Sequence, residues 1–172
     1  AVVDDKSPDL SQDERQKVAE SVGTAAIRYA DLSQNPQSNV TFTWEKMLSL
    51  EGNTAPFLMY SYARCRSIQR KGEVVPSLQG LGAKGQFERA LLLHLLRFGD
   101  MVSTAASVYR PNLLCDYLYE TANIFNRFYR EERVLGAETE EDRTRRLALV
   151  EASASVMNSG FELLGISPLD RM

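Results

Sequence analysis

Residues 52–71 read GNTAPFLMYSYARCRSIQRK, from Gly52 to Lys71. The stretch opens on Gly52-Asn53-Thr54 and sets Pro56 just inside, a capping residue followed by a first-turn proline, which is how a helix begins. No glycine or proline follows before Gly72, so the run predicts roughly four turns at about 3.6 residues each. Phe57, Leu58, Tyr62, Cys65 and Ile68 make an apolar stripe that seeks a core. Tyr60, Arg64, Ser67 and Lys71 fall at i, i+4, i+7 and i+11, on a line facing away from that stripe. An exposed ring one turn from a guanidinium can stack on an unpaired base and hydrogen-bond its edge. The same spacing also fits an amphipathic helix with an ordinary wet face, and the stretch alone favours that plainer reading.

Upstream, residues 1–10 read as an acidic lead-in without the apolar segment of a signal peptide. Ser11 and Glu14 have the spacing of a capping box. A helix follows, with a break predicted near Gly23, and runs to Leu32. Ser33–Asn39 is polar and holds Pro36, hence a loop. Asn39–Trp44 alternates and predicts one short strand, and Glu45–Leu50 a short helix. Downstream, Pro76, Gly80, Gly82 and Gly85 mark a loop. Gln86–Phe98 is strongly apolar and helical; Gly99-Asp100 predicts a break, with helix resuming over Met101–Tyr109. Pro111 starts the next helix, to about Arg133, with Leu114, Leu118, Ala122, Phe125 and Tyr129 as its apolar set. Thr139 and the acids after it begin the last helix. Its residues Leu147, Val150, Ala154, Met157, Phe161 and Leu164 are spaced alternately three and four apart, a packing stripe. Gly165 and Pro168 end it. The fold class is therefore all-α, a helical bundle, with one short strand allowed near its N-terminal end.

The chain has 172 residues, enough for one sizeable core, and its 44% hydrophobic and 25% charged content is that of a globular protein. No apolar run approaches the length of a membrane span. Cys65 and Cys115 lie in helical patterns and read as buried thiols of an intracellular protein. Formal net charge is -3, but residues 1–14 alone contribute -4 and leave +1 for residues 15–172. Non-specific phosphate binding should therefore be weak. The basic residues are bunched: Arg64, Arg66, Arg70 and Lys71; Arg127, Arg130 and Arg133; Arg143, Arg145 and Arg146. The third bunch reads as a solvated helix face.

Catalytic patterns are missing. No glycine-rich phosphate loop follows a strand. One histidine and two distant cysteines do not make a metal set. His94, set among leucines, reads as a core residue rather than a base.

Six segments in order resemble the C-terminal part of arginyl-tRNA synthetases, a class I aminoacyl-tRNA synthetase family. They are YADLS at Tyr29–Ser33, FTWEKML, GNTAPFLMYSYARCRSI, LHLLRF, FNRFYREERV and the terminal LLGISPLDRM. The resemblance covers roughly residues 19–172. It implies the tail of a catalytic domain over residues 1–50 and an all-helical DALR-type anticodon-binding domain over residues 51–172. It implies arginine tRNA and an upstream catalytic domain as partners, no membrane or DNA, and a cytoplasmic setting with an organelle left open. ATP and magnesium would serve the full-length enzyme. The HIGH-type and KMSKS-type motifs of that chemistry do not occur in this sequence, so the chain alone should be inactive and needs no cofactor.

Residue by residue, the resemblance places Tyr60 and Arg64 beside the anticodon bases, with Ala63 small enough to let a base approach. Met59 stands where many members have glutamine, which puts an amide contact there in doubt. Tyr129 faces the same loop, although the helical wheel serves a core role equally well. Arg133 takes a position held by an aromatic in some members, and Met172 ends the chain near the pocket or covers the core. A helical protein-interaction or stabilising module without RNA contact is the alternative.

Overall fold

The computed structural model describes residues 11–37, 43–72 and 82–171. Its helices are α1 (Gln12–Leu32), the single turn α2 (Trp44–Met47), α3 (Ala55–Gly72), α4 (Gly85–Leu95), α5 (Phe98–Ser107), α6 (Pro111–Glu131) and α7 (Glu140–Leu163). Among the described residues there is no strand. Most of the strand expected at Asn39–Trp44 lies outside the described residues, but Trp44 itself opens α2.

The helix starts follow the caps. Ser11 Oγ accepts the backbone N–H of Glu14, and Glu14 Oε2 accepts that of Ser11. Thr54 Oγ1 accepts from Phe57 N and donates to the Ser49 carbonyl, which fixes both the start of α3 and the turn before it. Thr139 Oγ1 accepts from Asp142 N.

Two breaks differ from expectation. α1 passes through Gly23 without interruption. A helical glycine costs only about 1 kcal/mol, less than the burial of Val18, Val22, Ala25 and Tyr29 on either side. The second break falls at Leu96-Arg97, and Gly99 and Asp100 sit in the first turn of α5. Its cause is Tyr117, whose hydroxyl donates to the His94 carbonyl at 2.7 Å. That carbonyl also takes Arg97 N and is drawn out of the regular ladder.

α6 packs against α1, α3, α4, α5 and α7, and α3 against α1, α6 and α7. All six stripe residues of the last helix are buried, Leu147, Val150, Met157 and Phe161 at 1% exposure or less. α1 joins this same core through Val18, Val22, Ala25 and Tyr29. The Tyr29 hydroxyl lies 2.6 Å from Asn53 Oδ1 and 2.9 Å from the Cys115 carbonyl oxygen, tying together α1, the turn before α3 and α6. Cys65 and Cys115 are buried free thiols. His94 is a core residue stacked on Tyr117. Thr121 donates its hydroxyl hydrogen to the Tyr117 carbonyl, so His94 Nε2 is the donor to Thr121 Oγ1 at 2.9 Å.

The bunch Arg143, Arg145 and Arg146 is not a solvated face. Arg145 and Glu88 have side chains 1% and 0% exposed and pair at 2.7 Å. Glu88 also accepts from Arg146 Nε at 2.9 Å and from Lys84 N at 2.8 Å. Arg146 reaches Glu132 at 2.6 Å, and Arg145 bonds Asp142. Arg143 Nη2 donates to the Gly72 carbonyl and closes the end of α3. The network locks α4, α7 and the segment between α6 and α7, a constraint that helical periodicity does not display.

Candidate nucleic-acid interface

α3 and α6 run side by side in the same direction. Phe57 meets Tyr119 edge to face at 5.6 Å, Ser61 meets Asn126, and Arg64 meets Tyr129, each pair further along both helices. This register brings residues 65 positions apart onto one surface.

Tyr60 is 47% exposed and Tyr129 38% exposed. Between them stands half-buried Arg64, its Cζ 5.0 Å from the Tyr60 ring centroid and 5.8 Å from that of Tyr129. Guanidinium and ring at such distances attract through the ring's quadrupole. Tyr129 lies nearly parallel to Phe125, 15° between planes and 6.4 Å between centroids. Phe125 is fully buried, so Tyr129 is seated on the core and still presents surface. The two roles left open for it in the sequence are compatible.

Arg64 Nη1 donates to Asn126 Oδ1 at 2.6 Å, and Asn126 Nδ2 donates to Ser61 Oγ at 2.9 Å. Neither Asn126 nor Ser61 stands out in the sequence. Asn126 follows Ala122 by one turn, a polar residue on the edge of the α6 apolar set, and that was the one signal available. Its partner depends on the α3–α6 register, which periodicity does not supply.

Ala63 is 8% exposed and Met59 fully buried. Arg133 follows the end of α6 and is exposed. Its carbonyl accepts from Arg146 Nη1 at 3.1 Å. Met172 lies outside the described residues. The chain just before it is fixed: Asp170 accepts from Arg66 Nε at 3.1 Å and Tyr62 Oη at 3.3 Å, and Arg70 donates to its carbonyl. Among the described residues, no three His, Cys, Asp or Glu residues are grouped to hold a metal, and no helix is long and apolar enough to cross a membrane.

The class is thus an all-helical bundle domain carrying an exposed tyrosine–arginine–tyrosine cluster where two parallel helices meet. The chain belongs to the DALR anticodon binding domain family, whose profile matches residues 58–172. It is 43% identical over 175 residues to an arginine–tRNA ligase of Fusobacterium nucleatum, covering 99% of this chain and 31% of that protein. It is 47% identical over 163 residues to an arginine–tRNA ligase of Nostoc sp., covering 91% and 28%. Among solved structures, an arginyl-tRNA synthetase of Thermus thermophilus superposes with a TM-score of 0.90 at 33% identity, over 99% of this chain and 30% of that one. The chain therefore spans about 30% of the length of the curated relatives it matches.

Proposed function

We propose that the α3–α6 face binds the anticodon loop of an arginine tRNA. On this reading the chain is the tRNA-recognition part of an arginine–tRNA ligase, and arginine activation with ATP and magnesium belongs to the rest of that enzyme. The observation that carries the proposal is the cluster itself: two partly exposed tyrosines flank a guanidinium held at a fixed place. Every base has a face that stacks on an aromatic ring, worth about 1–3 kcal/mol per base in single strands. Arg64 carries five N–H donors in a planar fork, suited to a base edge or a phosphate. Ala63 and Arg133 sit beside these groups in sequence and complete the proposed surface together with Met172. The near-neutral charge of residues 15–172 makes recognition depend on these contacts rather than on a broad electrostatic field.

Ring-selective tyrosine labelling tests the site. Titration with the anticodon stem-loop of an arginine tRNA should shift the Tyr60 and Tyr129 ring resonances and leave Tyr109, 89% exposed, unmoved. Shifts at Tyr109 without shifts at Tyr60 or Tyr129 would place binding elsewhere.

A further inference from the structure

We infer that Asn126 is the positioning residue of this face: its amide holds the Arg64 guanidinium in the place where RNA meets it. The inference rests on the RNA-binding reading above for its consequence, but not for its geometry.

Ser61 is fully buried on α3. Its Oγ lies 3.0 Å from the Phe57 carbonyl oxygen. A carbonyl only accepts, so the hydroxyl hydrogen is committed there and the hydroxyl oxygen is left as an acceptor. The group of Asn126 that faces it at 2.9 Å is therefore the NH2. That sets the amide oxygen toward Arg64, where it accepts from Nη1 at 2.6 Å. The opposite amide orientation would set N–H against N–H. The hydrogen bond from the Ser61 hydroxyl to the Phe57 carbonyl on α3 thus dictates, through one serine and one asparagine, where the Arg64 fork stands.

The tether has a purpose that packing alone does not require. An arginine side chain loses much rotamer freedom when it is ordered, and ordering done before binding strengthens binding. Asn126 uses one of the guanidinium's donors and leaves the others available. The adjacent ring faces of Tyr60 and Tyr129 hold the rest of the group in place.

The test uses the full chain, with the anticodon stem-loop of an arginine tRNA as the probe. In the RNA-free protein, Asn126→Ala should lower the order parameter of the Arg64 Nε–Hε bond. Asn126→Asp keeps the acceptor and should preserve that order. In binding, Asn126→Ala should weaken affinity roughly threefold to tenfold, the reach of ordering one rotamer-rich side chain at the moment of binding. In an Arg64→Ala background the same change should cost less than about twofold, since coupled residues lose additivity. Asn126→Asp should still weaken binding, because its carboxylate offsets the charge that RNA would meet. Equal losses in both backgrounds, or an Arg64 order parameter unmoved by Asn126→Ala, would overturn the inference. If Arg64→Ala itself binds the RNA as well as the parent, the RNA-binding reading falls, and the order parameter still decides whether Asn126 holds Arg64.

Discussion

Tyr60 and Glu88 occupy opposite extremes of exposure, and each allows a direct prediction. The Tyr60 ring is 47% exposed and touches Arg64 rather than the core cluster. Tyr60→Ala should therefore leave the melting temperature nearly unchanged while weakening anticodon-loop binding by about 1–3 kcal/mol. Arg64→Lys keeps the charge but loses the planar fork, and should weaken binding as well; a binding assay blind to it would reduce Arg64 to a point charge. Glu88 is the reverse case. Burial pushes its carboxyl up, but hydrogen bonds from Arg145, Arg146 and the Lys84 backbone outweigh that and hold it below the ordinary 4.5. A depressed carboxyl adds stability that is whole above its unfolded value and is lost as pH falls through its folded value. The share of stability that Glu88 supplies should thus be steady from pH 7 to 5 and be lost progressively below about pH 4. Glu88→Gln removes the carboxylate that Arg145 and Arg146 share, leaving Asp142 and Glu132 as their acid partners, and should cost about 1–3 kcal/mol at neutral pH. The gap between the two proteins should narrow in acid; a gap constant down to pH 3 would show that the fold does not depress the Glu88 carboxyl.

Between helices, two glycines separate backbone cost from packing. At Gly160 in α7, an added Cβ would stand 2.4 Å from Leu118 Cδ2 and 2.8 Å from Cδ1, deep in the α6–α7 contact. Gly160→Ala should destabilise the fold by about 1–3 kcal/mol through overpacking. At Gly23 in α1, nothing lies within 4 Å of the same atom, so Gly23→Ala should stabilise by about 0.5–1 kcal/mol. Urea denaturation of both variants checks the pair, and an equal sign for the two would contradict the packing described. The same two positions show what periodicity can reveal. Caps at Ser11, Thr54 and Thr139, the proline starts and the 3–4 stripe of α7 are local, and all appear as read. The uninterrupted Gly23 and the break at Leu96-Arg97 were set by neighbours, α3 and α6 in one case and the Tyr117 hydroxyl in the other. Arg145 was misread for the same reason, because its partner Glu88 lies 57 residues away.

For the whole molecule, fold class and family were legible because short motifs persisted in order along the chain, while the site was legible only in part. Tyr60 and Arg64 share one helix, so their alignment follows from i to i+4. Tyr129, Asn126 and Ser61 join them only through the α3–α6 register. On the proposed function, this assembled face recognises an anticodon. That recognition is tested most directly by the dissociation constant of the chain for an unmodified arginine tRNA, measured at one salt concentration beside the same tRNA with its anticodon replaced. Affinity for the replaced anticodon should be weaker by roughly tenfold or more, the loss expected when a stacked or hydrogen-bonded base is removed. Equal affinity for the two tRNAs would contradict it.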